Sequence, residues 1–267
     1  MENLIITTCA ADTSMYPELP PRLERSDRLA DEVEAAFEAG ATIAHIHAPP
    51  ADQAAWTSHT AAIRERCGIL VQYGISIQSV EQRRQVVKNR PDMISVALGA
   101  HNLSFVGRDL MMLHPREELA ELMRICRDAG VKPEFEVCAA GDLWLLDDLL
   151  QKGLVQPPLL LTLFFGRPGG SWSPATMDEF LHRTKLLPAG SVYSASVTGP
   201  THLSLEALSV LAGGHVRVGT EDEPWLRPGV AGTNADHVSR IASVARAVGR
   251  EVATVADARR LLGMAAR

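Results

Sequence analysis

Short apolar runs alternate with longer stretches of helical spacing along the whole chain. Eight runs have the length and composition of strands, at residues 4–10, 42–48, 69–75, 93–99, 133–139, 159–165, 191–197 and 215–221. Stretches with helical periodicity occupy residues 26–40, 53–66, 79–90, 115–130, 142–153, 174–187, 203–214, 234–249 and 255–264. Strands that alternate with helices indicate parallel βαβ units. Strands that are mostly apolar indicate burial on both faces.

Eight such units in 267 residues predict an α/β fold, a (β/α)8 TIM barrel. A doubly wound open sheet is the alternative. No linker rich in Pro, Gly or Ser divides the chain, so we expect one domain over residues 1–267. Residues 11–25 form an unusually long first loop, and long loops in compact domains are often functional. In a barrel this loop would lie at the carboxyl ends of the strands, where barrel enzymes carry their active sites.

Composition narrows the class of function. A net charge of -6 argues against a nucleic-acid partner, because such proteins usually present a basic face. The four cysteines form no CxxC pair, which predicts reduced thiols and a cytoplasmic location. The first residues do not read as a signal peptide. The longest apolar runs, such as 159–165, are far shorter than the ~20 residues of a membrane span.

The second predicted strand carries two histidines on one face. Side chains alternate between the faces of a strand, so His45 and His47 point the same way, about 7 Å apart along the strand. Both lie near the end of the strand at which barrel enzymes perform their chemistry. Two imidazoles in this arrangement can bind one divalent metal. The alternative is a pair of core histidines held by hydrogen bonds.

A third metal ligand is available from the last predicted strand. Arg217, Gly219 and Glu221 share one face by strand periodicity. In a closed barrel this strand lies beside the first, and the histidine-bearing strand comes next, so Glu221 can approach the two imidazoles. Gly219 would leave room beside the metal. Two histidines and one carboxylate leave open positions for water or substrate, as in catalytic zinc sites. Alternatively, Glu221 is an exposed loop acid and Asp222 caps a turn.

Two glutamates and a glycine-rich turn add further candidates. Glu134 and Glu136 share a face of the fifth predicted strand, and a carboxylate inside an apolar barrel is costly without a partner. Arg217 is the expected partner, in an ion pair that serves either stability or catalysis. After the sixth strand, the turn with Gly169 and Gly170 would let an anion approach the backbone, although it lacks the ending of a phosphate-binding P-loop.

Segments along nearly the whole chain resemble the β-keto acid cleavage enzymes, the family founded on 3-keto-5-aminohexanoate cleavage enzyme. The resemblance is carried by EAGATIAHIH, RPDMISVALG, KPEFEV, FGRPGG, GGHVRVGTED and GREVATVADARRLLG. It implies a zinc-dependent barrel and an acyltransferase reaction. In that reaction a β-keto acid and acetyl-CoA give acetoacetate and a new acyl-CoA by retro-Claisen cleavage. The family also implies a homo-oligomer, a tetramer or a dimer.

The resemblance implies roles for individual residues. The zinc ligands of the family match His45, His47 and Glu221. Asp222 matches a catalytic base that is steered by Arg217. The resemblance therefore places the catalytic base next to a zinc ligand, as expected for an enzyme that removes a proton beside a polarised carbonyl.

Further positions match residues of the active site or of the substrate pocket. Glu136 matches an acidic residue at the active site. Candidate substrate contacts are Gly74, Ser76, Ser95, Gly169 and Gly170.

The chain departs from the family pattern around the substrate. The family's serine at the end of the third strand falls on Gly74, with Ser76 two residues further on. Ala48 replaces an arginine that often follows the histidines, Ala97 stands where asparagine is common, and Glu223 replaces an asparagine. The metal-binding residues are thus retained while the residues that orient the substrate are changed, which predicts a changed substrate pocket and leaves the particular keto acid open.

Two other functions fit the same residues. One is a CoA-independent, metal-dependent hydrolase or lyase of a β-carbonyl acid, and the other is a barrel that binds a metal and a ligand without turnover. The Arg217 and Asp222 pair favours catalysis, because a binding site needs no base. A site of two imidazoles and one carboxylate also accepts Mn, Fe or Co in place of zinc.

Overall fold

The computed structural model describes residues 1–11, 25–49, 52–76, 78–105, 108–167 and 172–265. Its strands are β1 (Ile6–Cys9), β2 (Ile43–Ile46), β3 (Leu70–Tyr73), β4 (Met93–Ala97), β5 (Gly99–Phe105), β6 (Arg108–His114), β7 (Lys132–Val137), β8 (Leu159–Phe165), β9 (Ser191–Val197), β10 (His215–Val218), β11 (Trp225–Arg227) and β12 (Val230–Ala231). Its helices are α1 (Ser26–Ala39), α2 (Gln53–Arg66), α3 (Val80–Val87), α4 (Arg116–Ala129), α5 (Ala140–Gln151), α6 (Met177–Thr184), α7 (His202–Leu211), α8 (Asn234–Ala247) and α9 (Val255–Leu261).

Eight of the strands close a parallel barrel in the order β1, β2, β3, β4, β7, β8, β9 and β10, with β10 paired back to β1. The predicted (β/α)8 barrel is confirmed, and the open-sheet alternative is excluded. Closure places β10 next to β1 and one strand away from β2. The strand with the two histidines and the last strand therefore approach each other as expected.

The local sequence sets where several helices begin and end. Gly40 and Gly130 adopt the left-handed conformation just after α1 and α4, which a glycine allows without steric cost. Thr233 caps α8 by accepting a hydrogen bond from the backbone N–H of Asp236, whose side chain bonds back to the backbone of Thr233. These signals fix the lengths of the helices that surround the barrel.

Alternate side chains of the barrel strands form layers inside the barrel. The layer at the amino ends is apolar and packs against α9, and it consists of Ile5, Ile43, Leu70, Met93 and Leu160. The next layer is polar and buried, and it consists of Thr7, His45, Gln72, Ser95, Glu134, Thr162, Ser194 and Arg217. The opposite faces of the strands are apolar and join the main core with the helices. Polar chemistry is thus restricted to the middle and the carboxyl end of the barrel.

Two antiparallel ribbons lie outside the repeating βα units of the barrel, and the sequence did not predict them. β5 and β6 form an antiparallel hairpin between β4 and α4. β11 and β12 form a second, shorter ribbon after β10. The hairpin covers part of the carboxyl end of the barrel, because His101 of β5 lies beside Cys138, which follows β7.

The remaining sequence predictions concern the cysteines, membrane-spanning helices, the first loop and the glycine-rich turn. The four cysteines are free thiols, as predicted. No helix in the described ranges is long and apolar enough to cross a membrane. Most of the long first loop, residues 12–24, lies outside the described residues, and so do Gly169 and Gly170.

Candidate metal and catalytic site

Three predicted metal ligands meet at the carboxyl ends of β2 and β10. Nε2 of His45 lies 3.1 Å from Nε2 of His47. The Glu221 carboxylate reaches both rings, with Oε2 at 3.5 Å from Nε2 of His45 and Oε1 at 3.3 Å from Nε2 of His47. These atoms lie close enough together to bind a single metal ion.

Two of the three ligands lie in loops rather than on strands, unlike what the alternation of side chains predicted. β2 ends at Ile46 and β10 ends at Val218, so His47 and Glu221 lie in the loops that follow the strands. The expectation that Glu221 continues the face of the strand is therefore wrong. Gly219, with a φ of 144°, turns the chain, and a Cβ there would lie 2.7 Å from the backbone N and O of Cys9. The glycine thus makes room for the backbone of β1 rather than for the metal.

Gln72 of β3 orients the His45 imidazole. Its Oε1 lies 2.8 Å from Nδ1 of His45, and its Nε2 donates to Oε2 of Glu134 at 3.4 Å. In this arrangement the amide oxygen of Gln72 faces the imidazole and can only accept, so Nδ1 of His45 donates to it and carries the proton. The lone pair of Nε2 then points toward Glu221, as in metal sites in which an outer residue fixes the tautomer of the ligand.

The protonation states of His45 and Glu221 fit a divalent cation, whereas a metal competes with a proton for His47. Burial lowers the pKa of His47, but Glu221 outweighs burial and raises the pKa above its ordinary value. Burial, assisted by the Arg217 charge, lowers the pKa of His45 to about 3, so the ring is neutral at physiological pH. Burial opposes ionisation of Glu221, but His47, His45 and Arg217 together hold its pKa well below its ordinary value. Oε2 of Glu221 is buried and accepts no hydrogen bond from the described residues. A neutral imidazole, an ionised carboxylate and an unpartnered oxygen are what a metal requires of its ligands.

Asp222 is paired with Arg217 beside this group. Nε of Arg217 donates to Oδ2 at 2.8 Å, and Nη2 donates to Oδ1 at 3.1 Å. The same Nη2 lies 3.1 Å from Oε1 of Glu221. The expectation that Arg217 pairs with Glu134 or Glu136 is wrong, since the guanidinium bonds instead to the two acidic residues in the turn after β10.

Other donors also hold the Asp222 carboxylate. The Ser196 hydroxyl donates to Oδ2 at 2.9 Å, and the Cys9 thiol donates to the same oxygen at 3.4 Å. A second guanidinium, that of Arg167, bonds to Oδ1. Burial alone would raise the pKa of Asp222, but Arg217 and Arg167 outweigh it and hold the pKa below its ordinary value.

Arg167 is the functional candidate that the sequence did not single out. It lies in the glycine-rich turn after β8, with its guanidinium 5.1 Å from the ring centroid of Phe164 and 5.5 Å from that of Trp172. Stacking on aromatic faces orients a guanidinium while leaving its donors free. An arginine next to two aromatic residues in this turn was the only available signal, and its partner Asp222 lies far away in the sequence.

The remaining predicted site residues occupy different depths of the barrel. The Ser76 hydroxyl donates to Oε2 of Glu136 at 2.5 Å, and the charge of Glu136 acts on His47. A Cβ at Gly74 would lie 2.3 Å from Nε2 of His47, so the glycine lets this ring lie against the end of β3. Ser95 is fully buried, with its hydroxyl 3.5 Å from the carbonyl of Tyr73, and it belongs to the polar layer below the ligand atoms.

Comparison with known proteins identifies the family of the chain. A model of the beta-keto acid cleavage enzyme family matches residues 4–264. The chain is 28% identical over 276 residues to the 3-keto-5-aminohexanoate cleavage enzyme of Fusobacterium nucleatum subsp. nucleatum, with 99% of each chain covered. It is 28% identical over 245 residues to the 3-oxoadipate:acetyl-CoA acetyltransferase of Cupriavidus necator, with 88% of this chain and 85% of the relative covered.

A solved structure shares the fold. The binary complex of ObcA with oxaloacetate superposes with a TM-score of 0.74 at 16% identity, over 94% of this chain and 68% of that chain. At this identity the likeness shows the barrel alone, whereas the family match extends over nearly the whole sequence. The chain therefore belongs to the β-keto acid cleavage enzyme family.

Proposed function

We propose that this chain is a zinc-dependent acyltransferase that converts a β-keto acid and acetyl-CoA into acetoacetate and a new acyl-CoA. The observation that carries the proposal is the convergence of His45, His47 and Glu221 beside the buried pair of Asp222 and Arg217. A pair of imidazoles with one carboxylate leaves positions for substrate oxygens, as catalytic zinc sites do. The name of the Cupriavidus relative, an acetyl-CoA acetyltransferase, supports acetyl-CoA as the second substrate.

Zinc held by these three side chains would polarise the keto group and thereby acidify the protons on C2 of the substrate. Asp222 is the base that takes one of these protons. Its low pKa keeps it ionised at neutral pH and also makes it a weak base, so the transfer depends on that acidification. Arg217 holds the carboxylate in position, while Arg167 has to leave Oδ1 for this oxygen to receive the proton.

The remaining steps follow from the carbanion at C2. It attacks the thioester carbonyl of acetyl-CoA, a new carbon–carbon bond forms, and the CoA thiolate leaves. The thiolate then attacks the original keto carbonyl, and the bond between that carbon and C2 breaks with its electrons on C2. Asp222 returns the proton to C2, which releases acetoacetate, and the original acyl group departs as its CoA thioester. Guanidinium N–H groups next to the reacting carbonyls stabilise the charge that develops on oxygen.

The direct test is an assay of the zinc-loaded protein with acetyl-CoA and a panel of neutral, amino-substituted and dicarboxylic β-keto acids. We expect acetoacetate, with a matching acyl-CoA identified by mass, from at least one member of the panel. The same reactions without acetyl-CoA are the control, because turnover there would instead support a CoA-independent hydrolase or lyase. Absence of acetoacetate from every member would refute the proposal. We also expect a homo-oligomer, which light scattering after size exclusion would detect.

A further inference from the structure

The β5–β6 hairpin buries two histidines on a single face. Gly99 pairs with His114 and His101 pairs with Met112, so the two histidines occupy diagonal positions on the same side of the ribbon. His101 is 1% exposed and His114 is 2% exposed. Their ring centroids lie 5.9 Å apart. Neither histidine belongs to the catalytic group described above.

Both nitrogens of each of these rings are buried without a hydrogen-bond partner among the described residues. A neutral imidazole offers one donor and one acceptor. Leaving a buried polar atom unpaired costs about 1–3 kcal/mol, so four such atoms are a large cost for one hairpin. Two buried rings that find no partner among the described residues indicate a ligand that binds them.

The barrel presents two further ligand groups to the same place. Cys138 directly follows β7, and Asp142 lies in the first turn of α5. One ligand atom each from His101, Cys138 and Asp142 lies within 4.8 Å of the other two. Oδ2 of Asp142 accepts hydrogen bonds from the backbone N–H groups of Cys138 at 2.7 Å and Ala139 at 2.9 Å, which holds the carboxylate in place. Its other oxygen, Oδ1, lies 3.5 Å from where a Cβ on Gly99 would be, at the start of the hairpin.

We propose that His101, Cys138 and Asp142 form a second divalent-metal site, with His114 as the fourth ligand, and that the ion fastens the hairpin to the barrel. A thiolate, imidazoles and a carboxylate are ligands of Zn²⁺, and four protein ligands in a buried position are typical of a structural zinc site. The thiolate and the carboxylate neutralise the charge of the ion, so a buried cation is electrostatically balanced. The proposal is independent of the acyltransferase reaction, because the two metal sites share no residue.

The presence of sulfur distinguishes this site from the catalytic one. A cysteine thiolate bound to Co²⁺ gives a charge-transfer band in the near ultraviolet, which two histidines and a glutamate cannot give. We would remove metal from the 267-residue chain with a chelator, titrate it with Co²⁺, and record absorbance together with the amount of metal retained after gel filtration. The wild type should retain two equivalents and show the thiolate band.

Variants then assign the band. Cys138→Ala should retain one equivalent and lose the band, and Cys138→Ser, which keeps the size of the side chain, should do the same. Cys126→Ala is the matched control, because Cys126 is also buried but packs in the apolar core, and it should behave as the wild type. His45→Gln should lose the other equivalent and keep the band. Circular dichroism would show that each variant is folded.

Two results would overturn the proposal. One is a folded wild-type protein without a thiolate band, as expected if an ordered water pairs the two imidazoles instead. The other is a band that persists in Cys138→Ala, which would assign the thiolate to another cysteine. The same titration separates this site from the proposed catalytic site. A wild-type protein that retains one equivalent of Co²⁺ and shows no thiolate band contradicts only the second metal site. A wild-type protein that retains one equivalent of Co²⁺ and shows the band contradicts only the catalytic metal site.

Discussion

The contact between Gln72 and His45 leads to a quantitative prediction about metal affinity. In the wild type, Oε1 of Gln72 accepts a hydrogen bond from Nδ1 of His45 at 2.8 Å. The leucine of Gln72→Leu has a similar volume but cannot accept this hydrogen bond. Nη1 of Arg217 lies 3.5 Å from the same nitrogen and becomes the available partner. Because a guanidinium only donates, it favours the tautomer with its proton on Nε2, which is the atom needed for the metal.

The expected loss is the free energy of returning His45 to its metal-binding tautomer. A buried N–H without an acceptor costs about 1–3 kcal/mol. Loss of an outer hydrogen bond to a metal ligand typically weakens metal binding by about 10–100-fold, which agrees with that range. We therefore expect the Zn²⁺ dissociation constant of Gln72→Leu to rise by about 10–100-fold, with the stoichiometry unchanged at saturation.

The assay is a competition titration of the metal-free protein against a chromophoric zinc chelator. Gln78→Leu is the matched control, since Gln78 is also buried but its Oε1 accepts no hydrogen bond from the part of the chain that the structure describes. Its zinc affinity should equal that of the wild type. If Gln72→Leu bound zinc as tightly as the wild type while remaining folded, the tautomer of His45 would not be set by Gln72 and the reasoning would fail.

Three further predictions concern the acidic residues. Asp222→Asn should lower kcat by about 10²–10⁴-fold while the protein keeps its metal. Steady-state kinetics and metal analysis would check this, and loss of the metal would contradict the role of Asp222 as a base. Arg167→Gln should raise the pKa of Asp222 by about 1–3 units, so the acidic limb of the pH profile of kcat/KM should move to higher pH by that amount. An acidic limb at the wild-type pH would show that Arg167 does not lower the pKa of Asp222. Burial raises the pKa of Glu206 to about 8 from 4.5, although Arg240 opposes the shift. Between these values only the unfolded chain loses this proton, so Glu206 contributes a fall of about 1.4 kcal/mol per pH unit to the free energy of unfolding. Glu206→Gln should remove that slope in urea unfolding measured across the interval, and an identical slope in both proteins would contradict the assignment.

Periodicity and barrel closure account for what the sequence predicted. The eight strands are mostly apolar and alternate with helices, and a barrel of eight places the last strand beside the first, so the approach of Glu221 to His45 and His47 followed from topology. The inward position of Gln72 also follows from the alternation of side chains along β3. Its partners do not, because hydrogen bonds between strands depend on how each side chain is rotated.

The features that were missed depend on turns and on tertiary contacts. Strand alternation assigned Arg217 to Glu134 or Glu136, and only the family resemblance paired it with Asp222. The chain turns sharply at Gly219 and brings Asp222 back to the guanidinium. Arg167 reaches Asp222 across the mouth of the barrel, over 55 positions of sequence. The β5–β6 hairpin lies outside the repeating unit, and the burial of its histidines is visible only once the hairpin lies on the barrel. Such contacts leave no periodic signal in one sequence.

The central claim is that two imidazoles and one carboxylate bind a single divalent ion at the carboxyl end of the barrel. Anomalous diffraction at the zinc absorption edge, from crystals grown with Zn²⁺, tests it most directly. The account predicts a peak within bonding distance, about 2.0–2.2 Å, of Nε2 of His45, Nε2 of His47 and an oxygen of Glu221. A map with no peak at this position, or with Glu221 turned away from the ion, would contradict it.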